Sequence, residues 1–234
     1  MKNLCLLFIL CILAGSVWAA ETLVPAVESC RTDIGNPDTN RTDSSKLSIR
    51  SDGSAAKSWI KFDINGIEPN DIRAAELRLT LHENENAPAE FNVSAVNDDY
   101  LTNIGWTESD LTWNNAPAND TASFSDVLSS AASLMGTIVF TTGLAGEQST
   151  IDVTSALQAD TDSIVQFALH NSNQLINAST HDHGGGEDYW PTLIITLPPE
   201  GADFPNPVID EVVPDTLPSL SWTNPDPNDG ISDI

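Results

Sequence analysis

The segment "HDHGGGEDYWP", His181 to Pro191, opens with two His, two Asp, one Glu and three Gly in eight residues. Imidazole nitrogens and carboxylate oxygens are the donors that metal sites use. Three readings are therefore open: a catalytic metal centre, a structural ion site, or a solvated loop rich in ligand atoms. Catalytic centres hold their ligands on rigid elements, with hydrogen-bonded support behind them. Three consecutive Gly make this segment pliable, and it lies between two strand-like runs. We read it as a variable loop. Its structural-ion alternative is calcium on Asp182, Glu187 and Asp188, since carboxylates are the ligands that ion takes. Tyr189 and Trp190 at its end offer flat faces on which a sugar ring can stack.

The elements that must hold this loop read as strands. "KLSIR" (46–50) places Leu47 and Ile49 on one side. "WIKFDI" (59–64) turns Ile60, Phe62 and Ile64 inward and Trp59, Lys61 and Asp63 outward. "AELRLTLH" (75–82) turns Ala75, Leu77, Leu79 and Leu81 inward and leaves Arg78 outward. Period-two alternation marks strands buried on one face. "FNVSAV", "TIVFT", "STIDV", "IVQFAL" and "TLIITL" continue the series, separated by turns such as "DGS" and "GLAGE". Short helical turns are expected at "TESDLTW", where Thr107 and Asp110 hold capping spacing, and at "DVTSALQAD", capped by Thr154 or Ser155. Many short strands and few helices predict an all-β fold, an antiparallel β-sandwich.

Charge limits the partners. The chain carries 9 Lys and Arg against 34 Asp and Glu, a net charge of -25. All its basic residues lie at or before Arg78. Such a surface repels polyanions, so nucleic acid and anionic membranes are poor partners. Arg50, Lys61 and Arg78 fall on polar strand faces and would form a small positive patch if their strands were neighbours.

The N-terminus "MKNLCLLFILCILAGSVWAA" has a basic start, an apolar run too short to span a bilayer, and small residues suited to cleavage after Ala19. Residues 1–19 are expected to be a signal peptide, and the mature protein to be secreted without membrane insertion. Cys5 and Cys11 leave with that segment. Cys30 alone remains, so no intrachain disulfide forms. After residue 198 the texture turns Pro-rich and acidic: 199–216 reads as a linker. "SLSWTNPDPNDGISDI" (217–234) reads as the start of a second β domain that stops before closing, as in a fragment of a longer multidomain chain. An EF-type calcium loop there is excluded, because Gly230 at position six puts Pro225 and Pro227 at ligand positions.

No hydrolase or zinc-type signature occurs: there is no Gly-x-Ser-x-Gly, no His-Glu-x-x-His and no phosphate-cradling glycine loop. The most distinctive segment is "IGWTESDLTWNNAP" (104–117). Its Trp106 and Trp113 are read as packing residues. Trp59, Tyr189 and Trp190 are the better candidates for stacking on sugars.

In order along the chain stand "NPDTNRTDSSKLSIRSDGSAAKSWIKFDINGI", "AAELRLTL", "VSAVNDDYLTNIGWTESDLTWNNAP", "IDVTSALQAD", "FALHN" and "PTLIITL". This succession, over roughly residues 25 to 197, resembles the DNRLRE (disaggregatase-related) family. That family is also treated as a carbohydrate-binding module and has alginate-binding members. The resemblance implies a jelly-roll-like β-sandwich over residues 20–198, in a secreted, often multidomain protein that adheres to polysaccharide. Relatives carry an "SRE"-like segment before the last strand. Here that place holds "ASTHDHGGGEDYWP", without Arg, so ligand preference is expected to differ there. The functional expectation is a non-catalytic polysaccharide-binding module. A polysaccharide-degrading lyase or hydrolase and a structural spacer domain are the alternatives.

Overall fold

The structure, a computed structural model, describes residues 19–41, 45–98 and 105–199. The expected signal segment up to residue 18, and the expected linker and second β domain from residue 200 on, lie outside them. The described strands are β1 (Ala20–Pro25), β2 (Glu28–Asp33), β3 (Lys46–Ile49), β4 (Ala56–Asp63), β5 (Ala74–Thr80), β6 (Ala89–Val96), β7 (Ala132–Phe140), β8 (Gln148–Asp152), β9 (Ile164–His170), β10 (Ile176–Ser179) and β11 (Thr192–Leu197). One short helix, α1 (Thr154–Gln158), joins β8 to β9.

The strands form an antiparallel β-sandwich, as expected. One sheet runs β1-β11-β5-β8 and the other β2-β4-β9-β6-β7. Their inner faces share one core. Ile60, Phe62 and Ile64 of β4 and its end, Phe167 and Leu169 of β9, and Phe91 and Val93 of β6 meet Leu77 and Leu79 of β5 and Leu193 and Ile195 of β11. The inward positions are those that alternation assigned. A third pair, β3-β10, bridges the two sheets. Leu81, just beyond β5, pairs with Ala178, while Arg50, just beyond β3, pairs with Ala56. Leu47 and Ile49 of β3 and Ile176 and Ala178 of β10 point into the same core.

Three strands carry no clear alternation in sequence: β1, β2 and β10. Strand β2 reads "ESCRTD". Its strand form comes from pairing with β4, and Ser29, Cys30 and Thr32 are buried there. Burial on both faces removes the contrast that a period-two pattern needs.

One local expectation holds and one is corrected. "TESDLTW" forms a single turn, closed by the Leu111 amide donating to Thr107 O at 3.2 Å, and Thr107 Oγ1 donates to Asp110 Oδ2 at 2.8 Å. At α1 neither Thr154 nor Ser155 is the cap. The cap position is Val153, and Asp152 Oδ1, at the end of β8, accepts the Thr154 amide at 2.9 Å. Thr154 Oγ1 is turned toward β5, where it accepts the Ala75 amide at 2.9 Å. That bond fixes the helix to the sheet instead of closing its first turn.

Candidate functional site

The outward face of β4 is the first place where tertiary structure changes the sequence reading. Trp59 and Lys61 alternate with the core residues and point away from the main core, as predicted, and Lys57 continues the same side. That face is not open to solvent. The segment 105–128 folds across it and makes a second apolar cluster of Cys30, Trp59, Trp106, Leu111, Ala116 and Ala168. Trp59 is 0% exposed, and its Nε1 donates to Pro117 O at 2.9 Å. A ring enclosed in this way cannot stack on a sugar, so Trp59 is not a ligand-contacting residue. Trp106 and Trp113 are buried, as the packing reading required.

The two lysines that flank Trp59 hold the same segment. Lys57 Nζ donates to Asn119 Oδ1 at 2.9 Å, to Asp120 O at 3.1 Å, to Ser123 O at 3.0 Å, and to Asp126 O. It lies 4.6 Å from the centroid of the Trp113 ring. Burial pushes its pKa down to about 8, against the opposing pull of the Asp120 and Asp126 carboxylates. Lys61 Nζ donates to Trp106 O and lies 4.8 Å from that ring's centroid. Burial lowers its pKa as well, opposed by Glu28. A cation over an aromatic face recovers part of its lost hydration. Lys61 is thus committed to holding the cover. Arg78 sits on β5, in the other sheet, and donates to Thr192 Oγ1 at 3.4 Å. Arg50, Lys61 and Arg78 therefore do not make one patch.

Arg50 belongs to a different basic cluster. Lys46, Ser48 and Arg50 are the outward positions that alternate with Leu47 and Ile49. Opposite Ser48 stands Asn177 of β10. Beside them runs β2, which contributes Arg31 and Asp33, and the loop after it adds Arg41. Together these residues line a groove of about 740 Å³, with Arg31, Arg41, Lys46 and Arg50 against the carboxylates of Asp33 and Glu83. Four lining cations against two lining carboxylates leave an excess of two positive charges, in a chain of net charge -25.

The groove is internally braced. Arg31 Nη1 donates to Ser48 Oγ at 2.9 Å, and Ser48 Oγ donates to Asn177 Oδ1 at 2.7 Å. Asn177 Nδ2 donates to Glu83 Oε1 at 2.6 Å, and Lys46 Nζ donates to Glu83 Oε2 at 2.8 Å. The Lys46 bond holds the Glu83 carboxyl below its ordinary value. Arg41 Nη2 pairs with Asp33 Oδ2 at 2.7 Å, and Arg50 Nε with Asp52 Oδ1 at 2.9 Å. Ser48 and Asn177 are buried, so the floor is preformed. Such a row can hold carboxylate or sulfate groups along a chain, because guanidinium presents two parallel donors to a planar anion. Of the groove's cations, sequence reasoning singled out only Arg50. The clue was the spacing of Arg31, Arg41, Lys46 and Arg50, which is half of all Lys and Arg after residue 2, packed into 20 residues.

The loop at 181–191 lies outside the groove's lining. Its rings are packed among histidines. Tyr189 stacks on His183 at 5.0 Å, and His183 meets His82 edge-on at 4.9 Å. Trp190 Nε1 donates to His183 O at 3.3 Å, and both Tyr189 and Trp190 are half-buried. His181 closes the loop's entry: its Nδ1 lies 2.9 Å from Glu108 Oε1, and its amide donates to Ser29 Oγ at 3.0 Å. The Glu108 bond raises the His181 pKa against the effect of burial. Asp182, Glu187 and Asp188 are exposed, and Asp182 Oδ1 accepts from Thr180 Oγ1 at 2.6 Å. Among the described residues, the three acidic groups that converge within 4.8 Å are Asp98, Asp160 and Asp162. The calcium ligands expected in the loop do not come together.

Among the described residues, no helix is long and apolar enough to cross a membrane. Comparison with curated proteins finds no match. Comparison with family models finds Carbohydrate-binding module family 96 over residues 21–197, which spans all eleven described strands but for the first residue of β1. A sandwich of the expected pattern with a braced surface groove agrees with that match, and the chain belongs to carbohydrate-binding module family 96.

Proposed function

We propose that the chain is a secreted, non-catalytic polysaccharide-binding module of a larger multidomain protein, and that its groove between β2, β3 and β10 takes an anionic polysaccharide. The observation that carries this reading is the convergence of Arg31, Arg41, Lys46 and Arg50 on one groove of an otherwise strongly acidic protein. A neutral glycan needs hydrogen-bonding groups and aromatic faces. A row of cations serves a ligand with repeating carboxylates or sulfates. The acidic remainder of the surface repels such a ligand elsewhere and restricts it to this strip.

The non-catalytic reading is supported by the groove's own carboxylates. Asp33 is paired with Arg41 and Glu83 with Lys46. A general acid is held protonated by a raised pKa, and the Lys46 bond biases Glu83 the opposite way. Secretion rests on the N-terminal segment, and further domains rest on the texture after residue 198. The finer assignment to the DNRLRE family rests on the sequence blocks quoted above. Each sugar contact contributes about 1 kcal/mol, so single-module affinity is weak and is raised by multivalency.

The test is affinity electrophoresis in gels containing a polyuronate, a sulfated polysaccharide or a neutral glucan. Retardation is expected in the charged gels, weakened by salt and absent with the neutral polymer. Equal mobility in all three gels overturns the reading. Release of unsaturated or reducing ends from the polymer overturns its non-catalytic part.

A further inference from the structure

At the far end of the β6–β9 pair three carboxylates meet. Asp98 follows β6, while Asp160 and Asp162 lie in the connection from α1 to β9. One oxygen from each lies within 4.8 Å of the others. Each side chain is also tethered locally. Asp98 Oδ2 accepts the Thr161 amide at 2.6 Å, Asp160 Oδ2 the Ser163 amide at 2.8 Å, and Asp162 Oδ1 the Ile164 amide at 2.9 Å.

Asp160 is the unusual member. It is 7% exposed, and its Oδ1 is buried with no hydrogen-bond partner. A buried polar atom without a partner costs about 1–3 kcal/mol, and more when it carries charge. Among the described residues, no ion pair meets that demand. The ion pairs of the described residues, Arg41–Asp33, Lys46–Glu83, Arg50–Asp52 and His181–Glu108, involve none of the three. Every Lys and Arg, moreover, lies at or before residue 78. Three convergent carboxylates, one of which keeps a buried oxygen without a partner, are the donor set of a cation from outside the chain.

We propose that Asp98, Asp160 and Asp162 form a calcium site that ties the end of β6 to the α1–β9 connection. All the donors are oxygen, which selects a hard ion over zinc or copper. Ligands around calcium at about 2.3–2.6 Å span up to about 5 Å across the ion, which accommodates the observed spacing. Magnesium needs ligands at about 2.0–2.1 Å and gives up its waters reluctantly, which suits an exposed carboxylate better than the buried Asp160 Oδ1. Asp98 and Thr161 also line an open cavity of about 670 Å³, so water can complete the coordination shell from that side. The site is remote in sequence from the groove's cations and stands independently of the polysaccharide reading.

The full chain is stripped with a chelator and melted with and without calcium, with terbium luminescence as a direct readout of an occupied carboxylate site. Calcium is expected to raise Tm by about 5 °C or more at saturation. Asp160→Asn is expected to abolish both the shift and the luminescence. Should that buried variant fail to fold, the exposed Asp162→Asn is expected to weaken calcium binding at least tenfold. Asp182→Asn with Asp188→Asn, in the 181–191 loop, is expected to leave both signals unchanged. Identical melts with and without calcium overturn the site. Luminescence that survives Asp162→Asn unchanged overturns the residue assignment, and an equal Tm shift with magnesium overturns the choice of ion.

Discussion

The ammonium of Lys57 lies 4.6 Å from the Trp113 ring, and four oxygens of the segment 119–126 point at it from the other sides. One fully buried cation thus organises the loop that covers the outer face of β4. Replacing it removes the donors and leaves buried acceptors without partners. Lys57→Met is expected to destabilise the protein by about 3 kcal/mol, seen as a fall in Tm of about 6–12 °C. A variant as stable as the parent would mean that these contacts contribute nothing net.

Trp59 separates structure from binding. Its ring is enclosed between the sheet and residues 106–117. Trp59→Ala is expected to cost about 3–5 kcal/mol by denaturant unfolding. At a temperature where the variant remains folded, its retardation by anionic polysaccharide is expected to match the parent's. Binding lost from a folded Trp59→Ala protein would reinstate the ring as a ligand contact.

The groove makes a selective prediction among the basic residues. Arg31→Gln and Arg50→Gln are each expected to weaken binding of an anionic polysaccharide about five- to tenfold, one charge-assisted contact apiece. Lys61→Gln and Arg78→Gln are expected to leave affinity within about twofold, because both side chains face other parts of the sandwich. Calorimetric titration with oligosaccharides of defined length would measure both sets.

The His181–Glu108 pair predicts a pH dependence. Glu108 raises the folded-state pKa of His181 above its ordinary value of 6.5. The stabilisation is therefore fully present below the unfolded-state value and disappears as pH rises through the higher folded-state value. The two side chains are about one-fifth exposed (21%/21%), so the expected contribution is about 1 kcal/mol. Melts of the parent and of His181→Gln should differ by about 2–4 °C at about pH 5.5 and converge near pH 8.5. A difference independent of pH would assign the loss to packing alone.

Several features were legible in the chain itself. Strands β4, β5, β9 and β11 show their inward residues through alternation, because one apolar face against a polar one is written locally at period two. Trp106 and Trp113 read as packing residues because buried tryptophan is common. Arg50 read as outward-facing because it falls on the polar side of β3.

Other features required the tertiary fold. Trp59, Lys57 and Lys61 occupy outward positions, and alternation cannot reveal that a segment 45 to 69 residues further along returns to cover them. The strands β2 and β10 acquire their form from pairing with β4 and β3, and their own residues carry little pattern. The histidine-rich loop looked like a metal site because its donors are close in sequence, yet its rings stack on one another and its carboxylates point to solvent. Asp98 and Asp160, 62 residues apart, are the donors that meet. Local periodicity determined which side of each strand is apolar. Only the closing of the sandwich decided which polar faces stay open, which are covered, and which distant charges share a site.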